Sequence, residues 1–120
     1  MCRPVSGRHP QRRLPRVQGV EHRSLALDVT DEVAVDAAFA GIAAWRGRLD
    51  ILVNNAGIAL RRPSVELTRQ DWQAVVDVNL TGVFLCARAA ARHMLAAKRG
   101  AIVNVSSIMG LSGGGLYPNI

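Results

Sequence analysis

Apolar positions along this chain form two different patterns, short continuous runs and longer segments with a helical period. Three short apolar runs predict strands, and they lie at Ser24–Val29, Leu49–Asn55 and Ala101–Ser106. Two longer segments carry apolar residues at steps of three and four, which predicts helices at about residues 31–45 and 71–98. The order strand, helix, strand, helix, strand is typical of an α/β protein with a doubly wound parallel sheet and flanking helices.

The first helix carries a signal at each end. Thr30 or Asp31 offers a side-chain oxygen for the N-cap, and Glu32 adds negative charge to the first turn, where the helix dipole favours it. Gly47 supplies the stop.

The second helix contains one polar interruption. Asn79 falls on the apolar stripe between Val76 and Val83, so the segment is either one long helix or two helices joined near residues 80–82. A buried amide without a partner costs about 1–3 kcal/mol, and we therefore expect a group that bonds to Asn79. A local helix kink, satisfied by backbone or water, explains the residue as well as a functional role does.

Composition and charge narrow the class of protein. With 120 residues, of which 49% are hydrophobic, the chain suffices for one core, and we expect a domain at 21–120 behind a basic, poorly ordered leader at 1–20. The leader region is rich in arginine but has no aromatic residue on which a base could stack, so we expect no nucleic-acid partner. No apolar run approaches the length of a membrane span and no secretory signal is present, which favours a soluble, cytoplasmic protein. Cys2 and Cys86 form no metal-type spacing, and we expect no metal site.

Three polar signatures accompany the predicted elements: NNAG at residues 54–57, VNLTG at 78–82 and IVNVSS at 102–107. Together they resemble the short-chain dehydrogenase/reductase family of NAD(P)-dependent oxidoreductases. The resemblance covers about residues 24–120 and implies an incomplete Rossmann-like sheet. It also implies hydride transfer between NAD or NADP and a small alcohol or carbonyl substrate.

The resemblance assigns roles to residues of this chain. Those implied for the adenine are Asp28 and Val29, and those implied for the rest of the cofactor site are Asn55, Ala56 and Gly57. The catalytic set would include Asn79, which holds an ordered water of the proton relay, and Ser107, with Ser106 as the less favoured register. Each position also has a plain structural explanation: a helix cap at Asp28, a strand-to-loop turn at residues 54–57, and ordinary strand-end serines.

The chain departs from the family at both ends. The family's catalytic Tyr-x-x-x-Lys has no match, because a lysine four places after Tyr117, the one tyrosine, would fall beyond Ile120. Tyr117 is therefore interpreted as a loop aromatic. A glycine-rich pyrophosphate turn is also missing. We expect a fragment that is inactive alone, and the segment that would separate NAD from NADP is absent.

Two further expectations follow from the resemblance. The family's sheet order, 3-2-1-4-5-6-7, places two strands between the predicted first and second strands of this chain. We therefore expect Leu49–Asn55 to pair with Ala101–Ser106, with Ser24–Val29 displaced. The helix at 71–98 resembles the family's dimerisation element, which allows a homo-oligomer and gives the alternative function of an inactive interaction module.

Overall fold

The computed structural model describes residue 19 and residues 21–108. Most of the predicted leader, and the predicted loop around Tyr117, lie outside the described residues. The elements are α1 (Glu32–Arg46), β1 (Ile51–Asn54), a 3₁₀ turn (Ser64–Glu66), α2 (Arg69–Val76), a π-helical turn (Asp77–Thr81), α3 (Gly82–Ala96) and β2 (Ala101–Asn104).

Helix α1 begins and ends at the residues that the sequence marks. The Asp31 carboxylate accepts a hydrogen bond from the Ala34 N–H at 3.0 Å, which makes Asp31, not Thr30, the N-cap. At the other end Gly47 adopts φ 69°, and its N–H donates to the Ala43 carbonyl at 2.7 Å. A left-handed residue here favours glycine, which explains the stop.

The sheet consists of β1 and β2, which pair in parallel with Ile51 opposite Ala101 and Asn54 opposite Asn104. This confirms the predicted pairing. The predicted strand at Ser24–Val29 is wrong, because within residues 21–108 this segment forms no strand. A strand needs a neighbour to bond its N–H and C=O groups, and the described part of the chain places no strand beside it.

The core lies between α1, α3 and the inner face of the sheet. Its buried residues are Val35, Phe39, Leu85, Cys86, Ala89, Ala90 and Met94, with Leu27, Val29, Leu49 and Leu52 packed against them. Apolar side chains from four segments thus remove one another from water, which fixes the helices on the sheet. Burial also raises the pKa of the Cys86 thiol, and this cysteine is a packing residue.

Helices α2 and α3 form one continuous rod through the π-helical turn. Thr68 and Asp71 cap its start reciprocally, since each side chain accepts the other's backbone N–H at 3.1 Å. Of the two alternatives, one long helix or two joined helices, the structure shows one long helix with a π-helical interruption. Along this rod Trp72 is 51% exposed, whereas Val75 is buried.

By length and hydropathy alone, the helix at residues 69–96 would suffice to cross a membrane. The sequence analysis predicts no segment of that length. In the structure one side of this helix packs on α1 and β1, which buries 33% of its most apolar stretch. Two ion pairs, Arg88 with Glu32 and Arg92 with Asp36, join it to α1.

Candidate functional site

Two asparagines join the strands where they end. The Asn54 Nδ2 donates to Asn104 Oδ1 at 2.9 Å, and the Val105 N–H donates to the Asn54 carbonyl at 2.9 Å. Asn54 is only 7% exposed, so its amide needs such a partner. The bonds fix the two strand ends side by side, and the predicted site residues Asn55 and Ser107 follow one strand each at this edge.

The Asn79 side chain clamps the loop after β1. Its Oδ1 accepts from the Ile58 N–H and its Nδ2 donates to the Ile58 carbonyl, both at 2.8 Å. Gly57 lies directly beside this clamp, since a Cβ there would be 3.5 Å from Asn79 Oδ1. At the interruption the helix backbone forms a π-helical turn, and the Asn79 amide bonds to the backbone of Ile58.

Asp28 closes a turn on Thr30. One carboxylate oxygen, Oδ1, accepts both the Thr30 N–H at 2.9 Å and the Thr30 hydroxyl at 2.8 Å. These bonds hold the pKa of Asp28 below its ordinary 3.8, so the exposed carboxylate is ionised at neutral pH. Asp28 is not the cap of α1, because that position belongs to Asp31. Its second oxygen, Oδ2, has no protein partner among residues 21–108.

Val29, next to Asp28 in this turn, packs against the start of α3 at Gly82. A Cβ on Gly82 would lie 2.7 Å from Val29 Cγ2, 3.1 Å from Val29 Cβ and 3.3 Å from the Val29 carbonyl. A side chain at position 82 would force the Val29 turn to move away, so glycine permits this close approach. Gly82 therefore brings the Asp28–Val29 turn against the helix that carries Asn79.

An open cavity of about 310 Å³ lies between the segment that ends at Val29, helix α1, the end of β1 and the start of α3. Of the predicted site residues, Val29, Asn55 and Ala56 line it, and Gly57 adjoins it through the Asn79 clamp. Asp28 stands next to Val29 in the turn. Ser107 follows β2 at the same sheet edge and is not a lining residue of this cavity.

Sequence reasoning missed several residues that build this arrangement. Asn104, the partner of the Asn54 amide, is not among the predicted residues, although it is a polar residue at the end of an apolar run, which is the available signal. Gly82 was noted as part of VNLTG but not for its close approach to Val29. No cluster of three metal-ligating side chains lies within the described residues.

These features define an incomplete Rossmann-like α/β domain whose polar residues gather at the carboxyl edge of a parallel sheet. The profile described as short chain dehydrogenase matches residues 7–119. The chain belongs to this short-chain dehydrogenase family.

Three relatives illustrate the similarity. The chain is 53% identical over 95 residues to the cis-4-hydroxycyclohexanecarboxylate dehydrogenase of Sinomonas cyclohexanicum, covering 77% of this chain and 38% of that protein. It is 49% identical over 86 residues to the D-threitol dehydrogenase of Mycolicibacterium smegmatis, covering 72% and 33%. A structure of ElxO with NADP bound superimposes with a TM-score of 0.72 at 44% identity, covering 75% of this chain and 37% of that one.

This chain therefore spans about a third of the length of these relatives. The two relatives found by sequence are named as dehydrogenases, and neither supports the alternative of an inactive interaction module.

Proposed function

We propose that this chain is part of an NAD(P)-dependent oxidoreductase that transfers hydride between the cofactor and a small alcohol or carbonyl substrate. The observation that carries this proposal is the clamp of Asn79 on Ile58, which joins the helix interruption to the backbone just after Asn55–Gly57. The residue after NNAG, Ile58, thereby meets Asn79 of VNLTG, which lies 21 residues further along the chain. The dehydrogenase names of the relatives support the same reaction class.

The cofactor side of the proposal begins at Asp28. Its ionised carboxylate has an oxygen available to accept from the exocyclic amine of adenine, and the Val29 N–H follows it in the turn. Asn55, Ala56 and Gly57 are exposed, and the two small residues allow a flat ligand to approach their backbone. These groups fit the adenosine part of NAD and of NADP alike. When bound, the nicotinamide would supply or accept the hydride.

The catalytic side rests on Ser107. A serine hydroxyl at this edge would donate a hydrogen bond to the substrate carbonyl and stabilise the negative charge that develops on its oxygen. Asn79 belongs to the catalytic set by resemblance, and both atoms of its amide hold the Ile58 backbone. Its side chain therefore positions the loop, and contact with an ordered water would fall to its backbone.

We further propose that the family protein acts in the cytoplasm as a homo-oligomer, with the helix at 71–98 in the interface. Support comes from large apolar side chains on this helix that remain exposed: Trp72 by 51%, Phe84 by 58% and Leu95 by 76%. Where such exposed apolar groups form a contiguous patch, they are typical of interaction surfaces. Sedimentation velocity over a hundredfold range of chain concentration tests this, and a monomer throughout would contradict it.

Nucleotide binding tests the cofactor site. We expect AMP, NAD and NADP, added to the ¹⁵N-labelled chain, to shift the amide resonances of Val29, Ala56 and Gly57. Asp28→Asn should weaken these shifts, because the amide no longer offers a carboxylate acceptor. Asp50→Asn is the matched control, since Asp50 precedes β1 at the opposite end of the strand. Shifts confined to other residues, or an equal loss in both variants, would contradict the assignment.

Activity tests the catalytic part. We expect the chain alone, with NAD(P)H and a panel of ketones, to show background turnover because the Tyr-x-x-x-Lys pair is missing. A chimera in which the matched 86 residues of this chain replace their counterpart in the D-threitol dehydrogenase supplies the rest of the enzyme from that relative. In it, Ser107→Ala should abolish turnover while NAD(P) binding persists, and Ser106→Ala should retain turnover. The reverse order would assign catalysis to Ser106.

A further inference from the structure

Basic side chains gather near the amino ends of the two strands. Helix α1 ends just before β1 and α3 ends just before β2, and the Ala101 N–H donates to the Asp50 carbonyl at 2.8 Å, so the two connections lie side by side. This end of the sheet is opposite to the end that Asn55 and Ser107 follow. We call it the basic edge, and its charged residues are Glu21, Arg23, Arg46, Arg48, Asp50, Lys98 and Arg99.

The charge of the described residues is unevenly distributed. Residues 21–108 carry ten basic and nine acidic side chains, a net charge of +1. The basic edge holds five of the basic and two of the acidic side chains, a net charge of +3, which leaves −2 for the other described residues. The carbonyl ends of α1 and α3 contribute about −0.5 each, which is too little to neutralise this charge. The basic side chains therefore exceed what the two helix dipoles favour, and the excess attracts an anionic partner.

One carboxylate already shows how the basic edge binds anions. Asp50 lies between two guanidinium groups, because Arg48 Nε donates to its Oδ2 at 2.7 Å and Arg99 Nη2 donates to its Oδ1. The bond from Arg48 above all, together with that from Arg99, holds the pKa of Asp50 below its ordinary 3.8. A guanidinium has five N–H donors. Within the described residues the remaining donors of Arg48 and Arg99 have no partner, and both side chains are more than half exposed.

Arg46 binds a second carboxylate at the end of α1. Its Nη1 lies 3.3 Å from a Glu21 carboxylate oxygen, and its Nη2 donates to the Glu21 carbonyl at 3.2 Å. Arg23 and Arg46 also lie over the Trp45 ring, 4.4 and 4.3 Å from its centroid. Stacking of a nucleic-acid base on Trp45 would compete with these cation–π contacts, so the basic edge suits carboxylates better than bases.

We propose that the basic edge is a docking surface for an acidic segment of another protein, whose Asp and Glu carboxylates bind the free guanidinium donors of Arg46, Arg48 and Arg99. Guanidinium groups match carboxylates with paired, charge-assisted hydrogen bonds. Residues 1–20, which precede Glu21 in sequence, add five arginines and no acidic residue, and so attract the same kind of partner. The partner binds at the opposite end of the strands from the candidate site, which leaves that site open.

Peptide titration of the ¹⁵N-labelled chain tests the proposal. The probe is a synthetic peptide of alternating glutamate and serine, and the control peptide carries glutamine in place of glutamate. The titration is run at about 0.1 M salt, where exposed charges more than about 10 Å apart are largely screened. We expect the glutamate peptide to shift the amide resonances of Arg48, Asp50 and Arg99, and the glutamine peptide to shift none of them. Shifts confined to residues outside the basic edge would overturn the proposal.

Two double variants remove the same charge from different places. Arg48→Gln with Arg99→Gln should weaken binding of the glutamate peptide about fivefold or more, because two exposed ion pairs are lost. Arg61→Gln with Arg69→Gln is the matched control, since both arginines are exposed and lie outside the basic edge. It should change binding by less than about twofold. Equal weakening by both pairs would show attraction by net charge alone, residues 1–20 included, and would overturn the docking surface.

Asp50→Asn separates binding from a structural role. The substitution removes the carboxylate that Arg48 and Arg99 share, so the peptide should bind about twofold more tightly or better. If these side chains only tie the two connections together, the variant binds no more tightly, and the proposal is wrong. Glu66→Gln, at an exposed residue outside the basic edge, is the control and should leave binding unchanged.

Two other polyanions compete in the same assay. Duplex DNA and phosphatidylserine vesicles are added at the same concentration of negative charge as the glutamate peptide. We expect both to bind the chain less tightly than the peptide does. Tighter binding of either one, lost in the Arg48→Gln and Arg99→Gln double variant, would overturn the assignment of the surface to an acidic protein segment.

Discussion

Replacing Gly82 with alanine tests the contact on which the candidate site is built. Gly82 has φ −60° and ψ −40°, so alanine fits the backbone without strain. The added methyl group, however, would lie 2.7 Å from Val29 Cγ2. The substitution therefore changes the packing of the Asp28–Val29 turn against α3 and leaves the helical conformation intact.

Two opposing effects set the magnitude. Alanine stabilises a helix interior by about 1 kcal/mol relative to glycine. Overpacking costs about 1–3 kcal/mol. Rotation of the Val29 side chain moves Cγ2 away, but Val29 Cβ at 3.1 Å and the Val29 carbonyl at 3.3 Å remain, so the turn itself must move. We expect a net loss of about 1 kcal/mol in the free energy of unfolding.

Gly41→Ala is the matched control. Gly41 lies inside α1, and a Cβ there would meet nothing within 4 Å. This variant should therefore gain about 0.5–1 kcal/mol. Urea unfolding followed by far-UV circular dichroism measures both variants, and Val29→Ala should make Gly82→Ala less costly. If Gly82→Ala stabilises the chain as much as Gly41→Ala does, α3 does not approach the turn and the reasoning fails.

Three other predictions follow from the same structure. Asn79→Ala should lower the free energy of unfolding by about 1–2 kcal/mol, measured in urea, because Ile58 loses two hydrogen bonds. The Thr68 hydroxyl and N–H hold the pKa of Asp71 below 3.8, so Asp71 stabilises the chain fully above about pH 5 and loses that effect as the pH falls below 3.8; Asp71→Asn should flatten this part of the stability profile. Cys86, buried with a raised pKa, should react with a thiol reagent far more slowly in buffer than in urea, measured by peptide mass spectrometry.

Elements whose signals are local were predictable from the sequence. Asp31 begins α1 and Gly47 ends it, and both ends were predictable because a capping side-chain oxygen and a left-handed glycine act within one turn. Residues 51–54 and 101–104 form strands inside the predicted runs, and each has a partner in the other. The interruption at Asn79 was visible because an amide broke an apolar stripe.

Features that depend on a distant partner were not predictable in the same way. Ser24–Val29 has a strand pattern, but pairing, not pattern, decides whether a strand forms. The approach of Gly82 to Val29 joins residues that are far apart in sequence, and no local spacing encodes it. The partner of the Asn79 amide, the Ile58 backbone, has no side-chain signal at all.

The asparagines at this edge divide into two groups, which decides how substitutions should act. Asn54, Asn79 and Asn104 direct their amides to other protein groups, so changing them leaves a buried or bonded partner unsatisfied and lowers stability. Asn55 is exposed beside the cavity, and no protein partner of its amide lies within the described residues. Substitution of Asn55 should therefore affect ligand binding much more than unfolding. At this candidate site, one set of polar residues stabilises the structure, and we expect another to bind the ligand.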